Sequence, residues 1–196
     1  MSAAAPALTR SWTLPSRGRV GMYCLICAEA AIFTIFVVAY LFYIGKSVSG
    51  PTPQEVLDVP IFYTICLLSS SGVIVFAERA LEHGRMAAFK ALWFVTFALS
   101  AIFLVGTGFE WKRLVEHGLT PSTNLFGTTY YSLVGLHALH ATVGLIGFVI
   151  VMALALAAKV TPEHFPRISV FSLYWHFVDA VWVVVFTVVY VIGLRA

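Results

Sequence analysis

The chain comprises 196 residues, 60% of them apolar and 15% aromatic, with 11% charged and a formal net charge of +3. Soluble domains carry about 25% charged residues, so too little polar surface is present to coat a water-soluble globule, and the strongly positive mean hydropathy points to a membrane protein. Disordered, collagenous and disulfide-stapled classes are excluded by this composition, and basic residues standing singly between apolar runs offer no nucleic-acid surface.

Arg10, Arg17 and Arg19 precede the first apolar run, Val20 to Ile44. That run is longer than the apolar core of a signal peptide and no small-x-small cleavage site follows it, so it reads as a retained first span behind a tail of residues 1–19. Four further spans are expected at Ile61 to Ala77, Ala91 to Phe109, Tyr130 to Ala158 and Ile168 to Leu194. The intervening stretches, Gly45 to Pro60, Glu78 to Lys90, Glu110 to Thr129 and Lys159 to Arg167, are charged or turn-rich. The expected fold is an all-α membrane protein, a five-transmembrane-helix bundle in which residues 20–196 form a single domain. None of the five spans contains proline.

Orientation follows from the excess of Lys and Arg in cytoplasmic loops. Arg10, Arg17, Arg19, Arg79, Arg85, Lys90, Lys159 and Arg167 fall on one side, against Lys46, Lys112, Arg113 and Arg195 on the other. This predicts a cytoplasmic N-terminus and, with an odd number of spans, a C-terminus on the outer side. Cys24, Cys27 and Cys66 all lie within apolar runs and are expected to pack as small hydrophobes. The CxxC spacing of Cys24 and Cys27 has neither the second pair of a zinc site nor a βαβ context.

Five ionisable residues fall inside the predicted spans: Glu29, His137, His140, His176 and Asp179. Charges at mid-membrane cost about 2.5–3.5 kcal/mol on insertion scales, so each needs a reason. A rise of about 1.5 Å per residue puts Glu29, His140, His176 and Asp179 in one layer near the middle of the bilayer. The i, i+3 spacing of His137 with His140 and of His176 with Asp179 lets each pair point inward together, which predicts a hydrogen-bonded cluster of imidazole and carboxylate. Three readings compete for it. A di-iron site would need Glu-x-x-His on two helices, a pattern absent here, and a haem would need facing His ligands at matched depth, for which His140 and His176 qualify on depth alone. A proton relay through Glu29 is the second reading, and mutual pinning of helices, which physics alone favours, is the third.

Gly135, Gly144 and Gly147, with Ala141, give the fourth span a small-residue face on which another backbone can approach closely. Tyr130, Tyr131, Trp111 and Trp12 are expected in the interfacial aromatic belt, and Trp175 and Trp182 are expected to pack deeper against a neighbour. No nucleophile with an adjacent base, phosphate loop or oxyanion arrangement can be assembled, so no catalytic residue and no metal ligand is assigned.

The run from Gly135 through His137 and His140 to Gly144, and the run from Tyr174 to Trp182, read Y-W-H-F-V-D-A-V-W, closely resemble subunit III of haem–copper terminal oxidases. The family patterns are roughly G-x-H-G-x-H-V-x-x-G and Y-W-H-F-V-D-x-V-W. Ala28, Glu29 and Ala30 resemble the family's membrane-buried carboxylate segment, and Gly108 to Trp111 with Glu116 to Gly118 resemble its third-helix exit. The likeness extends from Gly21 onward and is to the short five-helix bacterial form. Ala138 stands where the family usually has Gly, Ala141 where it has Val, and Tyr130 and Tyr131 where it often has Phe.

The resemblance implies a chain without a redox centre, and so no enzyme on its own, within a cytochrome c oxidase of the bacterial inner membrane. Subunit I would be the main contact and subunit II part of the complex, with haem and copper in those partners and bound phospholipid on this chain. It would sustain proton uptake into subunit I and protect it during turnover, Glu29 being the reactive buried carboxylate and the two His and His/Asp pairs the intramembrane polar signature. A quinol oxidase subunit III and a nitric-oxide-reductase-associated homologue are the alternatives within the class. Outside it stands a free-standing membrane enzyme or proton transporter built on the Glu/His/Asp layer, although transporters are expected to show repeated, Gly/Pro-broken helices.

Overall fold

A computed structural model describes residues 15–195. Arg10 and Trp12 therefore lie outside the described residues, as does most of the tail assigned to residues 1–19. The described residues are helical and form no strand: α1 (Arg17–Tyr43), α2 (Pro53–Val56), α3 (Ile61–Glu82), α4 (Met86–Glu116), α5 (Leu125–Leu156) and α6 (Phe165–Phe186), the last continuing as a π-helical segment, Thr187–Ile192. All but the one-turn α2 are long and apolar enough to cross a membrane, giving five spans.

The spans are longer than the apolar runs that announce them. α3 continues to Glu82, while α4 starts at Met86 and continues to Glu116, so the stretch Glu78 to Lys90 is mostly helix, not loop. Hydropathy marks the lipid-immersed part of a helix, whereas backbone hydrogen bonding continues wherever polar side chains can be solvated at the interface. The break between α3 and α4 is a tight C-terminal cap: Gly84 adopts φ +70°, its N–H donates to Leu81 O at 2.9 Å, and Arg85 N–H donates to Ala80 O at 2.8 Å. A side chain at residue 84 would be strained in this left-handed conformation.

Within the bundle, α6 packs against α1, α3 and α5, and α5 packs against α1, α4 and α6, while α3 and α4 form an antiparallel hairpin. α1 is peripheral, with only Phe33 and Tyr40 buried. Its Cys24 and Cys27 are exposed on the bundle surface, unlike buried Cys66.

The small-residue face of α5 receives aromatic rings, not a neighbouring backbone. A Cβ at Gly144 would lie 2.4 Å from the Trp175 ring and one at Gly147 would lie 2.3 Å from the Phe171 ring, so both glycines are holes filled by α6. Gly135 differs, its position facing Trp111 at 3.6 Å, an ordinary contact distance. Trp175 is fully buried and its Nε1 donates to Ser70 Oγ at 2.9 Å, while Trp182 Nε1 donates to Thr64 Oγ1 at 3.2 Å. These bonds satisfy indole N–H groups that lipid could not. Thr96, Ser100 and Thr107 likewise donate their hydroxyls to the carbonyl four residues back, so these α4 hydroxyls are paired, whereas Trp111 Nε1 on the same helix is buried without a partner among the described residues.

Candidate functional site

Glu29 lies twelve residues into α1, about 18 Å along its axis, in the middle of the bundle. Its Oε2 is 3.1 Å from Nε2 of His140 on α5. Nδ1 of the same ring lies 2.8 Å from Leu136 O. A carbonyl only accepts, so Nδ1 carries hydrogen and donates to it. Phe33, one turn beyond Glu29 on α1, covers the imidazole with ring centroids 5.0 Å apart. Tyr174 on α6 donates its hydroxyl to His140 O at 3.0 Å. Three helices thus hold the pair, whose side chains remain 22% (Glu29) and 13% (His140) exposed.

The other three residues do not join it. His137 is 1% exposed and sits between Trp182 and Phe103, with ring centroids 4.9 and 5.8 Å away. Neither of its nitrogens has a hydrogen-bond partner among the described residues. His176 meets Ser71 on α3 through Nδ1 and Oγ at 2.8 Å. Asp179 is 4% exposed, and both carboxylate oxygens lack a partner among the described residues. The expected single cluster is therefore four separate arrangements. An i, i+3 pair is offset by about 60° around a helix at 3.6 residues per turn, and both α5 and α6 are surrounded by neighbours. That offset sends His140 to α1 but His137 toward α4 and α6.

A further polar group was not among the expected intramembrane residues. Glu110 Oε1 accepts from Tyr190 Oη at 2.7 Å and from Tyr130 Oη at 3.2 Å. Tyr130 is fully buried and is no interfacial belt residue. Tyr131 does have its hydroxyl bound, to Leu119 O at 3.0 Å. Because α4 runs past Phe109, Glu110 falls on the stripe that includes buried Phe103, Gly106, Thr107 and Leu114. That i, i+3/i+4 spacing was the available signal. The π-helical segment carries Tyr190 to the same carboxylate. Nearby, Arg113 pairs with Asp58 of the loop before α3.

Glu78, expected in a loop, lies on α3, with its Oε1 buried and unpartnered among the described residues. Among those residues, no three His, Cys, Asp or Glu side chains converge as a metal site. What the Glu29–His140 contact can do is hold a proton between two bases in an apolar surrounding.

Comparison with known proteins gives a consistent picture. The family model described as cytochrome c oxidase subunit III matches residues 13–194. A cytochrome c oxidase subunit 3 from Corynebacterium diphtheriae is 32% identical over 96% of this chain and 95% of its own length. A cytochrome c oxidase subunit 3 from Synechocystis is 36% identical over 91% of this chain and 77% of its own length. A cytochrome bo(3) ubiquinol oxidase subunit 3 from Pseudomonas putida is 33% identical over 89% of this chain and 86% of its own length.

Proposed function

The chain belongs to the cytochrome c oxidase subunit III family, and from that membership we propose that it is the accessory, non-redox subunit of a proton-pumping oxygen reductase in a bacterial inner membrane. As subunit III of a haem–copper oxidase it is part of an oxidoreductase complex and a multi-pass membrane protein. In this reading its main contact is catalytic subunit I, subunit II completes the complex, and haem and copper reside in those partners. The excess of basic residues on one side supports a cytoplasmic N-terminus and an outer C-terminus in this reading, in which the chain also holds phospholipid at its membrane-facing surface.

Glu29 with His140 is the observation that carries the supporting role. If neutral, the His140 ring has its one hydrogen on Nδ1, so Glu29 must be protonated to donate to Nε2. If the ring is doubly protonated, Glu29 is a carboxylate. Both forms are net neutral and both hold one proton in the Oε2–Nε2 contact. A proton can be stored there without stranding a charge in lipid. We assign the pair to proton supply and to maintaining the environment of subunit I, not to chemistry on oxygen. Gly135, Gly144, Gly147, Trp175 and Trp182 serve helix packing.

Cytochrome c is the proposed electron donor of the complex, by the names of the Corynebacterium and Synechocystis relatives. Quinol is the second reading, because the Pseudomonas relative is similar to the same degree. Extraction of the tagged chain from its native membranes in mild detergent tests the assignment. Co-elution of a haem-bearing partner with oxygen consumption is expected, driven by reduced cytochrome c in the first reading and by ubiquinol in the second. Recovery of a homo-oligomer free of haem would overturn it.

A further inference from the structure

At the end of the bundle where α3 begins and α4 ends, a cavity of about 260 Å³ is lined by Asp58, Pro60, Tyr63, Phe109, Glu110 and Arg113. Tyr63 is two residues into α3 and Glu110 six residues from the end of α4. The cavity therefore lies within about 9 Å of those helix ends along the axis, close to the membrane interface. One wall is the Tyr63 ring, which packs directly on the α4 backbone: a Cβ at Gly106 would lie 2.4 Å from it. The exposed ring of Phe109 adds a second aromatic surface.

The charges of this lining are not all paired. Arg113 is committed to Asp58, and no ion pair reaches Glu110 among the described residues. Glu110 Oε1 accepts from both Tyr130 and Tyr190, while no donor reaches its Oε2 among the described residues. The two phenols fix the carboxylate in place and leave one oxygen for a ligand. A metal ion is a poor match, because it takes several oxygens at once and no three His, Cys, Asp or Glu side chains converge among the described residues. A guanidinium is matched to a carboxylate that offers both oxygens, and here one is already occupied. An ammonium is a compact charge on an apolar stem, suited to a single free oxygen beside aromatic rings.

We propose that this cavity receives a lysine side chain of a neighbouring subunit, its ammonium on Glu110 Oε2 and its methylene stem along Tyr63 and Phe109. The proposal rests on the chain being one subunit of a larger complex, as proposed above, and adds a contact point and its chemistry. This chain's own lysines at that end are engaged, Lys112 with Glu116 at 3.9 Å and Lys46 over the Phe42 ring at 3.5 Å. The ethanolamine of a lipid would bring a phosphate with it, and Arg113, the cation of the lining, is already held by Asp58. Charge complementarity therefore points to a protein partner.

The test treats the purified complex with a water-soluble carbodiimide, which activates the Glu110 carboxyl. A lysine Nζ lying against it then closes an amide bond to the carboxyl carbon, and the reagent leaves as its urea. Peptide mass spectrometry identifies the joined residues. A Glu110 peptide joined to a lysine peptide of another subunit is expected, and its absence from Glu110→Gln, which keeps an oxygen for the two phenols. In detergent that variant should leave the complex about tenfold faster than the parent, the size of one charge-assisted hydrogen bond. Labelling of Glu110 by added glycine ethyl ester in the intact complex would overturn the proposal. So would a join to Lys46 or Lys112 of the same chain, or to an ethanolamine lipid. These outcomes are read on the unaltered complex, which needs no variant to fold. Should the reagent not reach Glu110, the dissociation rate decides: release of Glu110→Gln at the parent's rate overturns the proposal. Haem absorbance of the same samples reports separately on membership of the oxidase: a lysine joined to Glu110 in a complex free of haem would overturn that assignment and leave the contact standing.

Discussion

Glu29 and His140 approach to 3.1 Å with the second ring nitrogen of His140 already committed to Leu136 O, so the contact between them holds one proton whichever partner owns it. His137, one turn earlier on the same helix, makes no such bond. This contrast separates a histidine that neutralises a membrane carboxylate from one that fills space between Trp182 and Phe103.

Replacing the two histidines should therefore have unequal effects. His140→Leu strands Glu29 and should destabilise the chain by about 1–3 kcal/mol, the cost of an unpaired buried polar group. His137→Leu removes two unpaired nitrogens, keeps an apolar contact with Trp182 and should stay within about 1 kcal/mol of the parent. Thermal denaturation of both variants in detergent, followed by loss of helical signal, measures the difference.

Gly144→Ala should destabilise by about 1–3 kcal/mol, as overpacking does, because the new Cβ would sit 2.4 Å from the ring of Trp175. Gly135→Ala, with its nearest neighbour at 3.6 Å, should be neutral or slightly stabilising, since alanine is the better helix former. The same denaturation assay, applied to both substitutions, checks the pair.

Glu110 is coupled to Tyr190 on the π-helical segment and to Tyr130 on α5. Tyr190→Phe, which deletes the shorter of the two bonds, should cost roughly 1 kcal/mol, and a double-mutant cycle with Glu110→Gln should return a coupling of about 0.5–2 kcal/mol. Additive effects would show that the carboxylate and the phenol act independently.

The number of spans was legible because five long apolar runs admit few alternatives in a chain this short. Their ends were not, since Glu78 and Glu110 sit beyond the apolar runs yet inside α3 and α4. Depth put Glu29 and His140 in one layer, and the structure joins them. Depth carries no azimuth, so the same arithmetic could not tell that His176 turns to Ser71 and that Asp179 stays unpartnered among the described residues. Tyr130 read as an interfacial ring because its place near the end of an apolar run says nothing of the carboxylate across from it. The small-residue face of α5 was visible in sequence, but not that Trp175 and Phe171 would fill it.

The central claim is that the Glu29–His140 pair supports the oxidase without taking part in its chemistry, and Glu29→Gln tests it most directly. Glutamine keeps the shape and can donate an amide hydrogen to Nε2, but it holds no transferable proton. Initial oxygen consumption and its decay over many turnovers would be recorded on the assembled complex. The account predicts normal assembly, an unchanged haem spectrum and a substantial initial rate, followed by faster loss of activity than in the parent. Immediate, complete loss of oxygen reduction in a normally assembled complex would contradict it, because Glu29 would then be a required proton donor.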